Sequence, residues 1–468
     1  MPIPGSGEVI LGREVSLQSR LLDLARRFLH RAEVDRAVAF SVLAKTWSLA
    51  ASPVTLFLIA SFLTAEVQGY YFTFGSLLAL QSFAELGFSL VIIQFASHEW
   101  ARLRLDETGR ITGEPVALSR LISLGRLVIK WYAVASGVFV VAVGTAGYVF
   151  FSQNHDPGIA WVSPWAALVI LTGLNLLMVP LVAILEGCNQ VANVNLFRLV
   201  QGVFSTLAMW LVLLLGGGLW IAPAAVGIGV LSNLALLSLR YPRFFQPFLL
   251  PPSGPGMSWQ AEIWPMQWRL AVSGIVGFFA FSLFNPVMFH YHGAAVAGQM
   301  GMTLALVGAL GSIAMAWVQA KVPFLGTLIA NKEYDVLDRR FLRISTISLV
   351  VISCGAAGVW AIVYLLNSLQ HPFAQRLLAP LPTGLLLLAA VLLQISQCQS
   401  AYLRAHKREP IMVMSAVSCL AMGLLVWGLG RNFGPMGAAV AYLATVTILI
   451  LPWQTAIWFR CRALWHRA

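Results

Sequence analysis

Leu90-Val-Ile-Ile-Gln-Phe-Ala-Ser-His-Glu-Trp-Ala-Arg102-Leu-Arg104 is an apolar run that turns abruptly basic. A helix crosses the hydrocarbon core with ~20 apolar residues, and this run is the tail of such a stretch, from about 67 to about 96. The charges that follow are Arg102, Arg104, Arg110, Arg120, Arg126 and Lys130. Loops so enriched stay in the cytoplasm. The stretch therefore reads as a membrane span ending on the inside.

The same alternation holds outward in both directions. Arg13, Arg20, Arg26, Arg27, Arg31 and Arg36 precede the first span, and only Arg198 follows the fourth. Arg240, Arg243 and Arg269 come next, then Lys321, Lys332, Arg339, Arg340 and Arg343. Arg404, Lys407 and Arg408 follow the tenth span, and Arg460, Arg462 and Arg467 close the chain. Of the 30 basic residues, only Arg376 and Arg431 fall in the opposite gaps, with Lys45 inside the first span. This predicts an even number of crossings and both termini in the cytoplasm. Twelve spans fit: 37–62, 67–96, 121–151, 163–186, 196–217, 222–240, 264–289, 294–328, 342–366, 381–403, 411–430 and 436–459. The expected organisation is a basic N-terminal segment (1–36), a six-span lobe (37–240), a cytoplasmic linker (241–263), a second six-span lobe (264–459) and a short tail (460–468). The linker contains Pro251, Pro252, Gly254, Pro255 and Gly256.

Hydrophobic residues make up 59% of the chain and charged residues 10%, against roughly 25% charged in a soluble domain. The net charge of +12 is then a topology signal and a contact with anionic lipid, not a nucleic-acid footprint. Cys188, Cys354, Cys398, Cys419 and Cys461 are odd in number and unclustered, so neither disulfides nor a metal site is expected. No cofactor motif is present, and no cleavable signal peptide is expected. Residues 16–31 read as an amphipathic helix, with Leu17, Leu21, Leu24 and Phe28 opposite Arg20, Asp23, Arg27 and Arg31.

The halves repeat weakly in the same orientation. Gly69 near the start of the second span matches Gly298 in the eighth, and Ala222-Pro-Ala-Ala-Val226 matches Pro435-Met-Gly-Ala-Ala-Val440. Glu186-Gly-Cys-Asn-Gln190 and Gln397-Cys-Gln-Ser400 occupy equivalent corners. Repeats of six plus six spans recur in secondary transporters, with the substrate path between them. Leu63-Thr-Ala-Glu-Val-Gln-Gly69-Tyr-Tyr, Ala84-Glu85-Leu-Gly87-Phe-Ser and the Asn331–Asp338 loop resemble bacterial polysaccharide (O-antigen) flippases, the Wzx-like branch of the multidrug/oligosaccharidyl-lipid/polysaccharide exporter superfamily. The resemblance covers nearly the whole chain in hydropathy, but only these patches in sequence. It implies an all-α polytopic fold in a bacterial inner (cytoplasmic) membrane, a MATE-like V of two six-helix lobes. It also implies a polyprenyl-diphosphate-linked oligosaccharide as substrate, and polysaccharide-assembly proteins as partners alongside membrane lipids.

A charge near the bilayer centre costs at least ~2.5–3.5 kcal/mol on insertion scales, so each needs a reason. Ser41, Lys45, Ser48, Ser52 and Thr55 share one helical face of the first span, a polar stripe suited to a wet cavity wall; the alternative is a snorkelling Lys45. Glu85 lies on a second-span face with Gln81 and Ser89. It is a candidate coupling site, or the partner of Lys45 in a structural ion pair. Arg269, ahead of Ser273, and Lys321, near Ser312 and Gln319, lie in the seventh and eighth spans. In the family fold these helices and the first two flank the gap between lobes. Lys45, Arg269, Lys321, Ser48, Ser52 and Gln397 are the candidate substrate contacts, the cations serving a diphosphate. Gln394 and Gln399 near Gln397 could bond sugar hydroxyls or neighbouring helices, and Trp47, Trp210 and Trp317 could stack on sugars or pack.

Cation antiporters favour acidic cavities, whereas the intramembrane charge here is mostly basic, so an anionic cargo is the first expectation. A cation-coupled multidrug antiporter of the same superfamily is the second. A membrane glycosyltransferase or polymerase would be expected to carry a sizeable outward loop with catalytic groups; here Asp156 is the clear outward carboxylate and His290 and His292 an isolated pair. No catalysis is expected.

Overall fold

The computed structural model describes residues 36–153, 158–252, 254–406 and 408–466. The amphipathic segment 16–31, Asp156 and Lys407 lie outside the described residues. The first half comprises α1 (Arg36–Phe62), α2 (Ala65–Leu78), α3 (Gln81–Glu85), α4 (Phe88–Trp100), α5 (Pro115–Gln153), α6 (Val162–Gly187), α7 (Val191–Leu214) and α8 (Ile221–Ala235). A short α9 (Pro242–Leu249) leads to α10 (Trp264–Phe281), α11 (Phe284–His292), α12 (Ala294–Ala330), α13 (Tyr334–Ser368), α14 (Pro380–Ala405), α15 (Met412–Ala444) and α16 (Leu451–Trp465). The start signals are local: Thr64 caps α2 by accepting from the Val67 N–H at 3.3 Å, and Pro115, Pro242 and Pro380 open α5, α9 and α14.

Among the described residues, nine helical stretches are long and apolar enough to cross a bilayer, ten with the bent α2–α4. One of these, Met412–Trp465, is 54 residues long, far more than a span needs. Within α15, Gly434 has φ +60 and ψ −144, and a Cβ on Gly437 would lie 2.1 Å from the Leu429 carbonyl oxygen. Eight residues of straight helix would hold those positions ~12 Å apart. The chain reverses there, so this stretch makes two crossings. With α10–α11 the total matches the expected twelve in an all-α polytopic fold.

One expectation needs correction. The second span is not one helix: Leu86 and Gly87 both take left-handed backbone (φ 47 and 67) and the axis bends by 42°. Gln81 and Ser89 therefore do not share a helical face through Glu85. The basic 97–120 segment also holds a small antiparallel hairpin, β1 (Leu103–Leu105) with β2 (Ile111–Gly113), Arg104 opposite Thr112. Its turn is tied by Asp106, whose Oδ1 accepts from the N–H groups of Thr108 and Arg110 and from the Thr108 hydroxyl.

α1–α8 pack on one another and α10–α16 do likewise. The halves meet mainly where α2 crosses α12 and α11, at the end opposite the basic loops. A Cβ on Gly69 would lie 1.9 Å from the Ala294 carbonyl oxygen, and one on Gly298 would lie 2.5 Å from that of Ala65. Only glycines permit this approach. Gln68 donates from its amide to the Gly298 and Arg376 carbonyls at 2.7 and 3.1 Å, and Asn285 donates to Ser76 Oγ at 3.0 Å. Beside them Tyr70 meets Phe289 edge-on at 4.8 Å and Phe151 at 5.4 Å, all three fully buried. Such aromatic pairs add ~0.5–1.5 kcal/mol each beyond burial.

At the basic end the 241–263 segment runs along the start of α5. Phe244 and Phe248 are buried, with Phe248 against Gly125. Ser119 Oγ accepts from Gly254 N–H at 2.9 Å and Ser123 Oγ from Met257 N–H at 3.1 Å. Arg120 then joins Glu99 (2.8 Å) on α4 to Glu262 (2.5 Å) ahead of α10. In the second half, Asp338 gathers Arg462 Nη2 (2.6 Å) and the Tyr402 hydroxyl (3.1 Å), which fixes the ends of α13, α14 and α16.

Candidate functional site

The polar groups inside the first half line two adjoining cavities that share Arg198, Gly202 and Ser205 of α7. One, of about 370 Å³, lies between α1, α2 and α7 and is walled by Ser48, Ser52, Thr55 and Trp47. The stripe foreseen on α1 thus faces a cavity, because Ser48, Ser52 and Thr55 follow helical spacing. Lys45 sits one turn nearer the basic end on the same side and is exposed. Trp210 lies 6.3 Å from Trp47 and donates its indole N–H to Thr55 Oγ1 at 2.9 Å. Trp47 therefore forms part of the cavity wall, braced by Trp210.

The second cavity, about 400 Å³, lies between α4, α6, α7 and α8 and is polar through Ser89, Asn175, Glu186, Arg198, Gln201, Ser205 and Asn233. Asn233 donates to Asn175 Oδ1 at 3.1 Å. Arg198 Nη2 pairs with Glu186 Oε1. Sequence reasoning assigned neither of these two a role in a site. The usable signal was that they flank a tight corner, Gly187–Gln190, which joins α6 to α7.

The second half holds a cavity of about 520 Å³ lined by Phe281, Phe284, Ser312, Gln319, Gln394, Gln397 and Tyr442 among others. Gln397, a candidate from the sequence, opens into it. Gln394 spends its amide N–H on Ser348 Oγ at 2.7 Å, and Gln399 donates to Thr455 Oγ1 at 3.0 Å. Those two fasten helices instead.

The remaining candidates divide. Lys321 does not line this cavity; it lies over the Trp317 ring at 5.7 Å, on a face with exposed Ile313 and Phe324. Ser312 and Gln319 point the other way, as the 100° step of a helix requires. Arg269 is in α10, but its side chain, like that of Ser273, lies outside the described residues. Glu85 ends α3, half-buried, near Tyr132 of α5, where Ser89 Oγ and the Tyr132 hydroxyl lie 3.3 Å apart. No Glu85–Lys45 ion pair forms among the described residues, because the α3–α4 break turns Glu85 toward α5. His292 binds the Gly430 carbonyl at 2.8 Å, a helix-end contact.

No family model matches this chain, and no curated protein matches it in sequence. Its fold does match solved transporters over nearly its whole length. An inward-facing multidrug-resistance MATE family transporter of the MOP superfamily aligns with TM-score 0.62 at 12% identity, covering 90% of this chain and 99% of that one. The lipid II flippase MurJ, in an inward closed conformation, aligns with TM-score 0.62 at 13% identity, covering 90% and 87%. A MOP superfamily transporter from Pyrococcus furiosus, described by the reverse polarity of its binding pocket, aligns with TM-score 0.53 at 13% identity, covering 91% and 95%. The chain is a multi-pass membrane protein with the fold of MOP-superfamily transporters.

Proposed function

We propose that this protein carries a lipid-diphosphate-linked oligosaccharide, an O-antigen or exopolysaccharide repeat unit, from the inner to the outer leaflet by alternating access. The observation that carries this reading is the sign of the charge along the first-half cavities. Arg198 and Glu186 are the charged residues that line them, one of each sign, and exposed Lys45, one turn from Ser48 on the same face of α1 though outside the lining, tips the balance to positive. Cations in a low-dielectric cleft favour a diphosphate over a cationic drug. Neutral amides and aromatic rings in both halves suit sugar hydroxyls and faces.

Positive-inside topology makes the basic end cytoplasmic. The contact of α2 with α12 then closes the outer end, and the lobes are open inward. In keeping with this, the alignment to an outward-facing MATE transporter is weaker, with TM-score 0.53. A second reading, cation-coupled export of small molecules, draws on half-buried Glu85. Export of surface polysaccharide in a strain lacking its own flippase separates the two. Lys45→Ala should impair it at normal protein level and Lys45→Arg should retain part. Equal polysaccharide from Lys45→Ala and wild type would reduce Lys45 to an interface anchor.

A further inference from the structure

We infer that Arg198 is the anion-binding group of the first-half cavity and that Glu186 is its built-in competitor, a carboxylate holding the place that a diphosphate takes. The inference deepens the reading above and rests on it only for the lipid attached to the diphosphate.

Four observations converge. Arg198 lines both adjoining cavities and, with Gly202 and Ser205, forms the strip of α7 that they share. Its fork is half used: Nη2 reaches Glu186 Oε1, and no other protein partner is recorded for it among the described residues. A guanidinium offers five donors, and a second edge free for two parallel bonds is what a phosphate oxygen pair requires. The pair is also asymmetric. The Arg198 side chain is 52% exposed while that of Glu186 is 14% exposed, so the carboxylate is set into the wall and the cation reaches into open space. Finally, the other polar groups that line that cavity, Ser89, Asn175, Gln201, Ser205 and Asn233, are neutral hydrogen-bonding groups, and among the described residues no other ionisable group lines it.

Depth fits a lipid headgroup. Arg198 is seven residues past Val191, the first residue of α7, hence about 10 Å up the helix from the basic end. That is where a diphosphate tethered in the inner leaflet arrives before any crossing. An arginine there without a counter-charge would be costly when the cavity is empty, which accounts for Glu186. The carboxylate also sets a threshold: a ligand with one weak negative charge does not displace it, whereas a diphosphate does.

The test is equilibrium binding of farnesyl diphosphate and of inorganic pyrophosphate to the purified full-length protein in nanodiscs of neutral lipid. Glu186→Gln removes the competitor and should tighten farnesyl diphosphate binding roughly fivefold, the upper range for a solvent-reachable ion pair. Arg198→Ala should weaken it by at least about tenfold, the loss of charge-assisted bonds. Arg198→Lys, which keeps the cation and loses the fork, should bind between wild type and Arg198→Ala, and it serves if the alanine variant fails to fold. Wild type, Glu186→Gln and Arg198→Lys binding equally would overturn the site while leaving the flippase reading intact. Equal affinity for pyrophosphate and farnesyl diphosphate, with the same response to the variants, would support the anion site and contradict the lipid-linked cargo. No binding of either probe to wild type or Glu186→Gln would overturn both.

Discussion

Glu85 ends α3 beside Tyr132, away from Lys45, so replacing it leaves no buried lysine unpaired. Glu85→Gln should therefore keep its melting temperature, and Lys45→Met added to it should change nothing further. A melting temperature that falls in Glu85→Gln and recovers in the double variant would contradict the observed geometry. Glycines at the crossing of α2 and α12 give a second prediction at this scale. In Gly298→Ala the new methyl meets backbone atoms of Ala65 and Gly69 at 2.5 and 2.9 Å, which cannot swing aside. The closed outer end should lose about 1–3 kcal/mol, as overpacking does. Cysteines at Phe57 and Phe373, whose rings lie 5.8 Å apart, should cross-link readily in the parent and poorly with Gly298→Ala. Undiminished cross-linking would show that the halves do not need that close approach.

Among the elements, the linker between the halves departs most from its sequence. Its Pro and Gly content reads as a free tether, yet two serines one helical turn apart on α5, Ser119 and Ser123, take its backbone N–H groups. Side-chain partners from a distant helix leave no trace in local composition, so this docking was not legible. Ser119→Ala with Ser123→Ala should speed proteolysis of the segment at 250–258 without unfolding the helices; unchanged cleavage would mean the two bonds do not hold it. Glu262 adds a pH dependence. The Ser258 N–H and the Arg120 guanidinium hold its carboxyl below the usual range. A depressed pKa gives docking that is present above the ordinary glutamate range and lost as pH falls through the lowered value. Protection of the segment should thus persist at neutral pH and fail in acid, and Glu262→Gln should flatten the profile. The second span was half legible: its apolar length and Gly87 are plain in the sequence, but one helical period ran through the glycine unbroken. A residue at φ +67 other than glycine costs about 1–2 kcal/mol, and that preference marks the break in hindsight.

For the whole molecule, charge and hydropathy were enough to give twelve crossings, because a bilayer leaves few backbone options. The polar face of α1 was equally legible, since Ser48, Ser52 and Thr55 repeat with the helix and all meet a cavity. Arg198 and Glu186 were not, because their meaning depends on the corner between α6 and α7 that brings them together. Lys321 shows the converse: its distance along the chain from Ser312 and Gln319 is small, but its direction around α12 is different, so it does not share their cavity. On the function proposed above, these cavities serve the transbilayer passage of an anionic, lipid-linked glycan. The most direct measurement places purified protein in vesicles with a fluorescent polyprenyl-diphosphate oligosaccharide and follows loss of its protection from a membrane-impermeant quencher. Loss of protection should run well above that in protein-free vesicles, slower in Lys45→Ala and Arg198→Ala and unaffected by cationic drugs. A rate no faster than the protein-free vesicles, with cationic drugs transported instead, would contradict it.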